Sequence, residues 1–217
     1  MKKLLLLTSA IVLLLGSAIT AQNEDFEGRD ILELAFFGGL TSPAGDIKDL
    51  SPTEGAESGM ALGMDIGYFL TPRLIVGLNF TYTAMDINEA AGAGDLKYKL
   101  YSPNLYAKYV FSGESNFEPY VKAHVGADNP KFATLVSHPD GDRYREISYD
   151  PSFAYGAGLG FFYYTSDFSG LYLEANYHMA ASSDAEAIYI GDTYQLGANI
   201  TVLDVHAGVR LLIGSDE

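Results

Sequence analysis

The chain has 217 residues, with 28 acidic against 13 basic side chains, a formal net charge of −15, and neither cysteine nor tryptophan. Phosphate contacts need clustered Lys and Arg, so this balance excludes nucleic acid as a partner. The lack of cysteine excludes disulfides and thiolate metal sites.

In chain order, the first segment is "MKKLLLLTSAIVLLLGSAITA". A basic start at Lys2 and Lys3 leads into an apolar run from Leu4 to Leu15 and then into small residues. That is the pattern of a secretory signal peptide. The apolar run falls short of the ~20 residues a membrane helix needs. Cleavage is expected after Ala21, with Ala18 as the alternative, so residues 1–21 form the signal and 22–217 one domain. Loss of Lys2 and Lys3 would take the formal charge from −15 to −17. No Cys follows the apolar run, which excludes a lipid-modified N-terminal Cys.

From there the period is two, the signature of β-strands. "ILELAFFGG" sets Leu32, Leu34 and Phe36 against Glu33, Ala35 and Phe37. "GMALGMDIGYFL" alternates Met60, Leu62, Met64, Ile66 and Tyr68 with Gly59, Ala61, Gly63, Asp65 and Gly67. A Thr71-Pro72 turn leads into "RLIVGLNFTYTAM", which sets Leu74, Val76, Leu78, Phe80 and Tyr82 against Gly77, Asn79, Thr81 and Thr83. "YSPNLYAKYVF" places Lys108 opposite the face of Tyr101, Leu105, Ala107, Tyr109 and Phe111. "FEPYVKAHVGA" places Glu118, Tyr120, Lys122, His124 and Gly126 opposite Phe117, Val121, Ala123 and Val125. "FAYGAGLGFFYY" puts Gly156, Gly158 and Gly160 on one face, with Phe153, Tyr155, Leu159, Phe161 and Tyr163 on the other. This is no dinucleotide loop, because position 161 is Phe and no helix follows. "LYLEANYHM" opposes Glu174, Asn176 and His178 to Leu171, Leu173, Ala175, Tyr177 and Met179. "TVLDVHAGVRLLI" opposes Asp204, His206, Gly208 and Arg210 to Leu203, Val205, Val209, Leu211 and Ile213.

Eight strands follow from this reading. Connections at Thr71-Pro72, Gly113-Glu114 and Asp167-Phe168 are short. Those at Leu40–Ser58, Asp86–Leu96, Asp128–Pro151 and Ala181–Asn199 are long, polar and acidic. Alternating short and long connections predict an all-β, eight-stranded antiparallel up-and-down transmembrane β-barrel, with short periplasmic turns and long extracellular loops. The uninterrupted apolar face then meets lipid. The mixed face lines a lumen just wide enough for its own side chains, and its glycines make room for bulky neighbours.

Opposite charges fall on that inner face. Glu33, Asp65, Lys108, Glu118, Lys122, His124, Glu174, Asp204, His206 and Arg210 are expected to form a structural ion-pair network that plugs the lumen, with His178 among them. A proton or ion path is the competing reading. Tyr68, Tyr109, Phe111, Phe117 and Tyr163 near the short turns, and Tyr82, Tyr101, Phe153, Tyr155 and Tyr177 toward the long loops, would form two interfacial belts.

On these features the mature chain resembles the small eight-stranded outer-membrane barrels, the OmpA-like transmembrane domain and OmpX group. Its end, "HAGVRLLI", is similar to that family's C-terminal assembly signal, carried here by His206, Gly208, Leu211 and Ile213. It departs from the family pattern in ending the strand on Ile213 instead of an aromatic and in trailing "GSDE". The resemblance implies an outer-membrane location, lipid and lipopolysaccharide as surroundings, the barrel-assembly machinery as a partner during biogenesis, and a monomer. It implies a structural or surface-interaction role, with a narrow pore or an OmpW-like conduit for small hydrophobic molecules as the alternative. Some small barrels edit lipid A, and one type sets His and Ser two residues apart on one strand. Here His178 is followed at that spacing by Ala180, so no catalytic residue is expected. "HPDGDRYRE" offers too few oxygen ligands for Ca²⁺ and reads as a turn at a loop tip. Neither cofactor nor metal is expected.

Overall fold

The computed structural model describes residues 31–48, 55–87, 96–111, 116–136, 140–141, 143–181, 186–189, 192–195 and 197–214. The signal segment and its cleavage positions lie outside them. The strands are β1 (Leu32–Ala44), β2 (Ala56–Thr71), β3 (Leu74–Ile87), β4 (Tyr98–Val110), β5 (Phe117–Val136), β6 (Arg143–Ser148), β7 (Ser152–Ser166), β8 (Ser169–Ala180), β9 (Glu186–Tyr189), β10 (Asp192–Gln195) and β11 (Ile200–Ile213).

Eight of them form a closed antiparallel barrel in simple meander order, β1-β2-β3-β4-β5-β7-β8-β11, and β11 returns to β1. Closure leaves the barrel wall no free edge. The tight turns have local causes. Thr71 Oγ1 accepts from the backbone N–H of Arg73 at 3.3 Å and of Leu74 at 3.0 Å, just after Pro72, whose ring fixes its φ. Ser166 Oγ accepts from Phe168 N–H at 3.3 Å in the next short turn. Both ends of the barrel sheet meet at this side, since Leu32 pairs with Ile213.

Every strand keeps the expected faces. Leu62, Leu105, Phe153, Leu159 and Val205 are exposed outward, while Glu33, Asp65, Lys108, Lys122, Glu174 and Arg210 are buried inside. The glycine-rich strand behaves as read: an added Cβ at Gly160 would sit 2.7 Å from the Tyr120 ring, and one at Gly156 2.4 Å from His124. Its inner face then continues with Phe162, which is buried.

Three connections differ from the expectation of plain loops. In Leu40–Ser58, β1 runs on to Ala44 and a short 3₁₀ turn follows at Gly45–Lys48. Within Asp128–Pro151, β5 runs on to Val136 and returns as β6, pairing Phe132 with Ile147. The alternating "KFATLV" and "REIS" carry that hairpin, and Gly141 supplies its tip with φ 111°, a value suited to glycine. His138 and Asp142 of the predicted tip lie outside the described residues. Within Ala181–Asn199, β9 and β10 form a second small hairpin.

Candidate functional site

The lumen has three layers. Nearest the short turns lies a chain of alternating charge. Arg210 Nε stands 2.8 Å from Glu33 Oε2, and Lys108 Nζ stands 2.6 Å from Glu33 Oε1. Lys108 reaches Asp65 at 3.6 Å, Lys122 reaches Asp65 at 2.9 Å, and Lys122 reaches Glu174 at 3.4 Å. Three carboxylates thus meet three cations, so this layer carries no net charge. Burying an ion costs several kcal/mol unless its remaining donors and acceptors are also satisfied. Neighbouring residues supply most of that, with Arg210 Nη2 left without a hydrogen-bond partner. Tyr106 O–H donates to Glu33 at 3.1 Å, Tyr120 O–H to Glu174 at 2.9 Å, and Asn79 Nδ2 to Asp65 at 2.7 Å. The Arg210 guanidinium lies 3.8 Å from the Phe162 ring centroid, and Lys108 lies 5.0 Å from it.

Of the expected network, Glu33, Asp65, Lys108, Lys122, Glu174 and Arg210 come together in this chain. Glu118 joins only at its margin: it accepts from Tyr164 O–H at 2.7 Å, and Tyr164 in turn accepts from Arg210 Nη1 at 2.8 Å. His124, Asp204 and His206 do not join it. They belong to the layer above.

That second layer is built around histidine. His124 and His178 stack with ring centroids 5.1 Å apart, and His124 Nε2 lies 2.9 Å from His178 Nδ1. His178 Nε2 lies 2.8 Å from Asp128 Oδ2. One arrangement satisfies both contacts: His178 donates through Nε2 to Asp128 and accepts at Nδ1 from His124. His206 stacks on Phe37 at 4.4 Å and approaches Asp204 at 4.0 Å. The sequence pattern predicts a loop from Asp128 onward; the extension of β5 turns Asp128 inward instead. The partners of His178 are thus a carboxylate and an imidazole, and Ala180 offers no hydroxyl two residues on. Among the described residues no group of three or more His, Cys, Asp or Glu could hold a metal ion.

The third layer closes the long-loop end with an apolar cap of Ile47, Met85, Tyr98, Leu100, Phe132, Ile147, Ile200 and Val202. Phe132 meets Tyr98 edge-on at 4.7 Å. Leu100 and Met85 continue the inner parity of β4 and β3 beyond the positions the sequence reading assigned, and Ile47 and Ile147 come from segments read as loop.

No protein-family model and no curated protein sequence matches the chain. Solved structures do. Neisserial surface protein A (NspA) superposes with a TM-score of 0.56 at 19% identity, covering 85% of this chain and 99% of that one. The chain resembles the small outer-membrane β-barrels. OprG from Pseudomonas aeruginosa gives 0.50 at 15% identity, covering 88% and 100%. The outer membrane protein AlkL, determined in DMPC lipid bilayers, gives 0.52 at 13% identity, covering 88% and 92%. At these identities the likeness is one of fold.

Proposed function

We propose that this protein is a non-enzymatic, monomeric barrel of the outer membrane, exported by its signal segment and inserted through the assembly signal at His206, Gly208, Leu211 and Ile213. Its lumen is a structural plug and its long acidic loops face the exterior, in a structural or surface-binding role. The observation that supports this reading is the occupied lumen, with a neutral ion network at one end and an apolar cap at the other. The outward band supports the membrane location. Leu40, Met60, Leu105, Phe153 and Leu159 are each more than 60% exposed, a surface that water would drive to aggregate and that lipid accepts.

The test is direct. Purified protein in a planar bilayer is expected to give no discrete openings. Steady openings abolished by Lys108→Gln or Arg210→Gln would overturn the plugged lumen. On a detergent gel the unboiled protein should migrate apart from the boiled one, and a chain soluble without detergent would overturn the membrane reading.

One observation favours the conduit alternative. The β4–β5 ladder is interrupted between Tyr101↔Asn129 and Asn104↔Gly126, where Pro103 has no N–H to give. This gap in the ladder is the place where a lateral path would open. Uptake of a small apolar dye into vesicles, lost in Pro103→Ala, would favour that reading.

A further inference from the structure

Along β4 the outward face changes character at one point. From Tyr109 through Ala107, Leu105 and Pro103 to Tyr101 it is apolar or aromatic, and the next outward positions are Lys99 and Lys97. Lys131 of β5 stands directly opposite Lys99. Tyr109 and Tyr101 are eight residues apart; at ~3.3 Å per residue and a tilt of ~40° this spans roughly 20 Å of membrane. The lysines therefore begin where hydrocarbon ends.

Like charges facing each other across a strand pair destabilise it. Lys97 is offset by Asp86 at 2.5 Å, and Lys99 pairs with Glu146. Lys131 forms no ion pair among the described residues; its ammonium lies 5.5 Å from the Tyr101 ring centroid, and Tyr101 packs on Tyr82 at 5.1 Å. Three ammonium groups meet two carboxylates, so this rim is locally positive in a chain whose formal charge is −15.

Resting on the outer-membrane reading above, we propose that this rim binds a phosphate of a phosphorylated glycolipid of the outer leaflet, with Lys99 and Lys131 as the clamp. The arrangement matches such a lipid at three heights. Ammonium groups take the phosphate, Tyr101 and Tyr82 sit at the sugar–acyl boundary, and exposed Leu105 and Val125 below them meet the chains. A soluble anion would use only the first of these.

The experiment uses the full mature barrel folded in detergent micelles. Native mass spectrometry would compare binding of bis-phosphorylated lipid A with dephosphorylated lipid A. The phosphorylated form is expected to bind roughly tenfold or more tightly, and K99Q/K131Q to lose that preference while Arg73→Gln at the opposite end keeps it. Gel migration of unboiled K99Q/K131Q establishes that it is folded. Equal binding of the two lipids by the wild type, or an unchanged preference in folded K99Q/K131Q, would overturn the proposal. A chain that does not fold into micelles at all would overturn the membrane reading on which it rests.

Discussion

The two ends of the lumen solve the same packing problem with opposite chemistry. Near the short turns, six buried charges cancel in a chain from Arg210 through Glu33 and Lys108 to Glu174. Near the long loops, Ile47, Leu100, Phe132 and Ile200 pack as in a soluble core. The difference follows from what holds each end. At the short-turn end, tight turns tie neighbouring strands directly together, so side chains can hold one geometry in which every charge is paired. At the other end the strands rise out of the barrel into hairpins, and non-directional apolar contact tolerates that freedom. Specific pairing is placed where the frame is rigid.

Substitutions can break that contrast. The largest effect is expected from Glu33→Ala, which leaves Lys108 and Arg210 buried without their shared carboxylate. A loss of about 4 kcal/mol should appear in the urea midpoint of the micelle-folded barrel. A loss under about 1 kcal/mol would mean that the network is no more than filler. Phe132→Ala should cost about 3 kcal/mol through the cavity it leaves in the cap. Hydrogen exchange should then rise in β5 beyond Asp128 and in β6 but not around Glu33, and a uniform rise would show that the two ends unfold as one unit. Gly160→Val should cost about 2 kcal/mol, since its first carbon would lie 2.4 Å from the Leu173 carbonyl oxygen. Gly158→Ala is the mild control: its nearest neighbours stand 3.0 and 3.1 Å away, and the midpoint should shift by no more than about 1 kcal/mol.

Much of this was legible in the sequence because a strand with one face in lipid and one in a narrow lumen must alternate strictly. Glu33, Asp65, Lys108, Lys122, Glu174 and Arg210 could be assigned to one interior from parity alone. Which of them touch could not, because contacts across the lumen depend on stagger between strands, a quantity no single strand encodes. Glu118 has the right parity, yet it lies too near the barrel end and meets Tyr164 instead. Asp128 was hidden for a different reason. Asp and Pro in "ADNPK" look like a turn, but Pro130 falls where β5 passes from pairing with β7 at Asp128↔Ser152 to pairing with β6 at Lys131↔Ser148, a junction where a missing N–H is tolerated, and the strand continues through it. The same local rule that marked the loop concealed the partner of His178.

The pairing of the first strand with the last also sets an order in time. Of the eight barrel strands β11 is made last, and its neighbours are β8, made shortly before, and β1, made first. The ring cannot shut until β11 has been made, and its final ladder joins positions roughly 160–180 residues apart, a slow contact by any measure of loop closure. Glu33 rides on one side of that joint and Arg210 on the other, 2.8 Å apart once it shuts. Their ion pair is therefore a latch: it comes into being with the closing step and holds shut two edges that would otherwise be open to other chains.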